Sequence, residues 1–245
     1  MLTNTQAIVL RTVPFGDTSL VVTAFTEDYG LQSYLVKGAR STGKKGQSLR
    51  PYLQPGAWLE LVVYHHQTGQ LQYIREMQWA KIWQRVLTSV VHNAISTFMV
   101  ELLSKCIRET ETNKTLFESI TQYFTLLDEA DPPVVANLAL HFALFLAGEL
   151  GFRPEDNYDE HHPVFDLKEG CFTTDLPVNP EWALTGSSAM LTHKLLMITH
   201  PVTLYRVKMQ QSERKLLLDA YIIYFSLHAA GFGNMRSPEI LKQLF

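Results

Sequence analysis

Several things this sequence lacks narrow its function early. Two cysteines in 245 residues, Cys106 and Cys171, cannot build a disulfide framework. Nor can they supply a zinc site that needs three or four thiolates, so no structural metal is expected. Charged residues make up only 18% and the net charge is −3, so the chain as a whole is no polycation. No uninterrupted apolar run reaches the roughly 20 residues of a membrane-spanning helix. The nearest approach, Val134 to Leu150, carries Asn137, His141 and Glu149 and lies between Asp131-Pro132-Pro133 and Gly151-Phe152-Arg153-Pro154. It reads as a buried core helix with satisfied polar groups, not as a span. No basic and apolar leader opens the chain, and a cytoplasmic setting without membrane attachment is expected. There is no G-x-S-x-G elbow, no H-E-x-x-H and no clustered acidic motif, and clusters such as Asp128-Glu129-Asp131 read as solvated helix ends. No residue pattern supports an enzyme or a bound cofactor.

The composition that is present describes a folded protein. Hydrophobic residues are 46%, enough to bury a core and to exclude wholesale disorder. The length fits one or two domains. The periodicity changes once. Up to about residue 79 the chain reads as five short strands: 6–10, 19–26, 31–36, 58–64 and 71–75, with a hairpin turn at Gln67-Thr68-Gly69-Gln70. Five strands in about 80 residues suggest a closed barrel of the OB-fold size class. From about 81 the period is helical, with apolar pairs every four residues from Val86/Leu87 to Cys106/Ile107. A second helix starts at Asn113, and others follow at 134–150, from Ser188, from Ser212 to His228 and from Ser237. The expected architecture is therefore α+β: an N-terminal five-stranded OB-fold barrel over 1–80 and an all-α helical domain over 81–245. An irregular insert carrying four prolines occupies about 152–186.

Charge is divided unevenly. Residues 1–80 carry seven Lys/Arg against five Asp/Glu, net +2, and residues 81–245 carry fourteen against nineteen, net −5. Within 36–50, Lys37, Arg40, Lys44, Lys45 and Arg50 stand without any acid. Such a run is either a solvated loop or an electrostatic footprint for a phosphodiester backbone. Gly38 to Lys45 nearly fits a phosphate-binding loop, but Lys45 replaces the required hydroxyl and Gly46 follows where a helix should start, so ATP binding is not expected. Phe25, Tyr34, Trp58, Tyr64 and Tyr73 fall in or beside strands; those pointing outward near a basic loop would make a stacking platform for single-stranded bases. His65-His66 lies on a strand, where neighbours face opposite sides, and His161-His162 lies in an acidic segment whose spacing matches no standard metal site. In the second half, Lys194, Arg206, Lys208, Arg214 and Lys215 stand against Glu213 alone. They read as a solvated helix face, or as a basic rim that would suit an acidic, hydrophobic peptide. Three functions stay open on these residues: a DNA binder, an adaptor using the barrel on a protein partner, and a metal-dependent nuclease. The basic run favours the first.

The order of short motifs resembles the RecO family of bacterial recombination mediators. The likeness begins with Ala7-Ile8-Val9-Leu10-Arg11 and Phe15-Gly16-Asp17-Thr18-Ser19, and passes through Tyr29-Gly30-Leu31 to Val36-Lys37-Gly38-Ala39-Arg40. It resumes with Leu49-Arg50-Pro51, Gln54-Pro55-Gly56, Leu102-Leu103-Ser104-Lys105, the run from Arg108 to Asn113, Gly148-Glu149-Leu150-Gly151-Phe152 and Met235-Arg236-Ser237. The resemblance implies an OB-fold followed by a helical domain and binding of single- and double-stranded DNA. It implies annealing of complementary strands without ATP, and help in loading recombinase onto strands coated by single-strand binding protein. It implies RecR and the acidic C-terminal tail of single-strand binding protein as partners, and work at the nucleoid. By position, Lys37, Arg40, Lys44, Lys45 and Arg50 are its DNA-contact residues, with Arg11 a weaker candidate. Some members carry a four-cysteine zinc module; the corresponding stretch here, about 153–175, keeps only Cys171.

Overall fold

The computed structural model describes residues 2–40, 49–65, 71–108 and 110–245. Strands β1 (Leu2–Phe15), β2 (Ser19–Thr26), β3 (Gly30–Val36), β4 (Trp58–Tyr64) and β5 (Gln72–Lys81) close a barrel in the order β1-β2-β3-β5-β4. All neighbours pair antiparallel except β3 with β5, which pair in parallel. This is the five-stranded OB-fold barrel expected from the sequence. Alternation sends Val22 and Ala24 of β2, Tyr34 and Val36 of β3, and Leu59, Leu61 and Val63 of β4 into a common core with Ala7 and Val9. The expected hairpin turn at Gln67–Gln70 falls outside the described residues.

Strand β1 is longer than its apolar run of 6–10 because a bulge interrupts the alternation. Val9 pairs with Ala24 and Arg11 with Thr23, so Leu10 is the extra residue. Without it, Arg11 would share the inward face of Ala7 and Val9. With it, Arg11 is exposed and pairing continues to Phe15.

Compact packing joins Met1–Gln84 to a later segment, Ile107–Gln122. That segment is bound at the β2–β3 turn. Thr112 Oγ1 donates to the carbonyl of Asp28 at 2.6 Å, and Lys114 Nζ lies 2.7 Å from the Asp28 carboxylate. Helix α3 (Lys114–Glu129) then begins; Asn113 Oδ1 accepts from the Leu116 amide as its cap, and Phe117 packs on Phe25 with ring centroids 6.0 Å apart. α1 (Gln84–Thr88) and α2 (Val90–Cys106) are separate helices, so the apolar pairs that read as one helix are broken at Ser89.

The other compact unit gathers Arg85–Cys106 and Tyr123–Phe245. Its centre is α4 (Pro132–Glu149), the apolar segment expected to be a core helix, with Val134, Val135 and nearly every residue from Asn137 to Ala147 buried. Helices α5 (Ser187–Leu196) and α6 (Gln211–His228), together with a 3₁₀ turn at Pro201–Arg206, pack against it. α2 packs on α7 (Ser237–Lys242), where the Glu101 carboxylate accepts from the amides of Arg236 and Ser237 and from the Ser237 hydroxyl. The stretch 152–186 is not wholly irregular. It holds a small sheet of β6 (Val164–Asp166), β7 (Cys171–Thr173) and β8 (Ala183–Leu184) in the order β7-β6-β8. Strands of two or three residues are too short to display a period of two. Asp128 also departs from its expected solvated setting: it is buried, and its Oδ1 accepts from the amides of Arg85 and Val86, capping α1.

Gly30 has φ +59°, and a Cβ there would lie 2.3 Å from the Glu111 carbonyl oxygen; Gly16 has φ +58° with nothing within 4 Å. Gly16→Ala is expected to cost only the left-handed backbone strain, about 1–2 kcal/mol. Gly30→Ala must in addition expel the 110–111 backbone and should cost clearly more. Denaturant midpoints of the two variants measure the difference, and equal values would show that the 110–112 segment does not press on the turn.

Candidate nucleic-acid interface

Side chains that follow β3 carry the first of the expected cations. Lys37 is exposed directly after the strand, with its Nζ 5.5 Å from the centroid of the Tyr73 ring. Arg40 is anchored to the β1–β2 turn: its amide donates to the Thr18 carbonyl at 2.9 Å and its Nη1 to the Gly16 carbonyl at 3.3 Å. Arg50 is exposed at the start of a 3₁₀ turn, Arg50–Leu53, that plugs Leu53 into the barrel core. Arg11 is exposed on the outer wall by virtue of the Leu10 bulge. Lys44 and Lys45, with most of the glycine-rich motif around them, fall outside the described residues.

A groove of about 500 Å³ joins Lys37 and Leu35 of the β3 end to Leu49 and to residues of two further strands, Tyr64 of β4 and Tyr73 and Arg75 of β5. Arg75 was not singled out from the sequence. It is the extra residue of a second bulge, since Val62 pairs with Glu76 and Val63 with Ile74. No local pattern marks such a bulge, which turns the side chain by inserting one residue into one strand alone. Arg75 Nε lies 3.2 Å from Glu76 Oε1, but both side chains are well exposed, so the pair is weak and the guanidinium remains available.

Burial sorts the five barrel aromatics. Tyr34 fills the core, Phe25 lies under Phe117, and Trp58 stacks on Trp83 while its Nε1 donates to Gln6 Oε1 at 2.8 Å. Tyr64 and Tyr73 are the outward ones, 43% and 41% exposed, and they are direct cross-strand partners. Elsewhere on the barrel wall a groove of about 660 Å³ carries Glu27, Asp28, Glu60 and Glu76. Of these, Asp28 is paired with Lys114 and Glu76 lies beside Arg75.

In the helical unit the basic residues part company. Lys194, Arg206 and Lys208 are exposed, Arg206 beside the Tyr205 ring, and Lys215 is half-buried. Arg214 is tied into the interior: its Nε donates to Asn137 Oδ1 at 3.0 Å, and Asn137 Nδ2 donates to the carbonyls of Leu204 and Val207. Arg214 is thus a structural cation and not part of a free rim. Asn137 and His141 are satisfied core polar groups, as their placement on the apolar helix suggested. A groove of about 340 Å³ includes Leu144, Phe145, Leu195 and Ile198 with Arg153 among its lining. Among the described residues no three His, Cys, Asp or Glu side chains gather as a metal site. The Asp159 carboxylate accepts from the amides of His161 and His162 and from the His162 ring.

Comparison with known proteins finds relatives along the whole chain. The family pattern for the recombination protein O N-terminal region matches residues 1–83, which contain all five barrel strands, and that for the C-terminal region matches residues 88–162. A DNA repair protein RecO of Christiangramia forsetii is 32% identical over 245 residues, all of both chains. One from Flavobacterium johnsoniae is 33% identical over 242 residues, 99% of this chain and 98% of that one. One from Porphyromonas gingivalis is 27% identical over 250 residues, all of both chains.

The helical groove also contains a buried titratable residue. His141 donates from Nε2 to the Ile198 carbonyl at 3.0 Å and accepts at Nδ1 from the Tyr123 hydroxyl at 2.7 Å, an arrangement that needs the neutral ring. Burial holds its pKa below the ordinary 6.5; Arg153 adds to this and the Ile198 bond opposes it. The unfolded chain binds the extra proton, so this contribution to stability is complete above the unfolded value and is lost as pH falls through the folded one. His141→Gln should flatten the decline in thermal stability from about pH 7 to 5. His92 is shifted the same way by burial and keeps part of the slope. An unchanged pH profile in the variant would contradict the assignment.

Proposed function

The chain belongs to the RecO family of DNA repair proteins, and from that premise we propose that it is a DNA-binding mediator without catalytic activity. It holds single- and double-stranded DNA by their phosphates, anneals complementary strands without ATP, and helps load recombinase onto strands coated by single-strand binding protein. It acts at the nucleoid in the cytoplasm and needs no cofactor. Pairing two strands breaks no covalent bond, so it requires charge neutralisation and positioning but no acid, base or nucleophile. The observation that carries this reading is the groove in which Lys37 and Arg75 are exposed beside Tyr64 and Tyr73 on a barrel of OB topology. The acidic groove elsewhere on the same barrel supports it by restricting where a polyanion can lie.

Each phosphate neutralised releases condensed counterions, and the logarithm of affinity falls with the logarithm of salt by about 0.7 per contact on single strands. Anisotropy of a labelled single strand, titrated at several salt concentrations without ATP or metal, should show a steep slope. Lys37→Gln and Arg75→Gln should each reduce that slope by about 0.7 and weaken binding to all sequences alike. Absence of binding at low salt would favour the adaptor reading, and metal-dependent strand cleavage would favour the nuclease.

RecR is proposed as a partner on the family resemblance alone. The acidic tail of single-strand binding protein has more support. The helical groove is lined by Leu195 and Ile198 with Arg153 and Glu149, and Lys194 is exposed on the same helix as Leu195. An apolar trough beside cations suits a hydrophobic, acidic peptide. Lys194→Glu combined with Arg153→Glu should weaken capture of a labelled tail peptide about tenfold or more, since charge reversal adds repulsion to the lost attraction. Arg214 is left intact in this test because it holds Asn137. Normal peptide binding by the double variant would remove the proposal.

A further inference from the structure

Cross-strand register places a continuous apolar row around the outside of the barrel. Val13 pairs with Val21, Val21 with Leu35, Leu35 with Tyr73, Tyr73 with Tyr64, and Tyr64 with Leu2. The core residues Leu20 and Val22, Tyr34 and Val36, and Val63 directly flank Val21, Leu35 and Tyr64, so the row faces outward. Its exposure is uneven. Val13 and Val21 are half-buried and Leu35 is nearly covered, whereas Tyr73, Tyr64 and Leu2 are each more than two-fifths exposed. Two aromatic rings stand side by side at the open part of this row; Phe15, at the end of β1, is also exposed but is not paired with another ring across the strands. No hydrogen bond to a described residue holds either tyrosine hydroxyl. Two cations flank the pair, Lys37 over Tyr73 and Arg75 two residues further along β5, the latter in an exposed, weak contact with Glu76.

We propose that Tyr64 and Tyr73 form a stacking subsite for the unpaired bases of a single strand, with Lys37 and Arg75 holding the adjoining phosphates. The proposal rests on the DNA-binding reading above and adds to it a preference for unpaired over paired nucleic acid. Phosphate contacts alone do not distinguish the two forms, because both present the same charged backbone. A π-face does distinguish them: in a duplex the base faces are covered by their neighbours, and in a single strand they are free to stack on a ring. Such a contact is tolerant of sequence, since every base has a face, and it is reversible, so a base leaves the ring when its complement pairs with it.

The test uses the full chain with a single strand carrying 2-aminopurine, and the same sequence as a duplex, at a salt concentration where both bind. Binding to the single strand should quench 2-aminopurine emission, and binding to the duplex should leave it nearly unchanged. Tyr73→Leu and Tyr64→Leu should each weaken single-strand binding about 5- to 100-fold while changing duplex affinity less than about twofold. Tyr73→Phe keeps the ring and should bind the single strand as the parent protein does, and thermal unfolding of the leucine variants separates lost stacking from lost folding. Salt-dependent binding with no quenching, or an equal loss for both forms in a leucine variant that retains its thermal stability, would overturn the stacking subsite while leaving the DNA-binding reading in place. No binding of either form by the parent protein would overturn both.

Discussion

Two backbone pairings, Tyr34 with Gln72 and Leu35 with Tyr73, join β3 to β5 in parallel and close the barrel. Residues about 38 positions apart in the chain are brought into register by them, and the basic side of the molecule exists only because they form. Lys37 follows β3, Arg75 lies on β5 and Tyr64 ends β4, so the groove they share has no counterpart in any single stretch of sequence. A parallel pairing between distant strands carries loop-closure entropy and cannot be offset by a local turn. The apolar interior provides the offset, with Tyr34, Val36, Leu59, Leu61 and Val63 meeting only when the ring is shut.

The outer wall then acquires its electrical character from small irregularities. One inserted residue at Leu10 turns Arg11 to solvent, and one at Arg75 places a guanidinium beside the tyrosine pair. A regular alternation would have sent one of these side chains inward at great desolvation cost. The carboxylates of Glu27, Asp28, Glu60 and Glu76 line a second groove, which reaches Arg75 through Glu76. The net charge of −3 therefore conceals an uneven distribution of charge over the barrel wall, and the local field, not the total, is what a charged ligand meets.

Two of the short motifs that carry the family resemblance prove to be one structural feature. Tyr29-Gly30-Leu31 forms the entry to β3, and the run ending Thr110-Glu111-Thr112-Asn113 lies against it. The approach is so close that only a residue without a side chain fits at position 30. Similarly, Glu101 of α2 meets Arg236-Ser237 at the start of α7, which explains why a weak terminal motif and a helix far upstream belong together. Separate motifs in the sequence are in these cases the two halves of a contact.

The barrel, the succession of helices and the buried nature of α4 were legible in the sequence. Each depends on periodicity of apolar residues within a few positions, and that pattern is a local property. The tertiary structure alone decided which aromatics face outward, that Arg75 joins Lys37, that Arg214 is held by Asn137, and that Asp128 caps α1. It also decided that residues 107–122 return to the barrel and that 152–186 contains a sheet. All of these depend on register, bulges or contacts between residues far apart in the chain, where a shift of one position exchanges the inside of a strand for its outside.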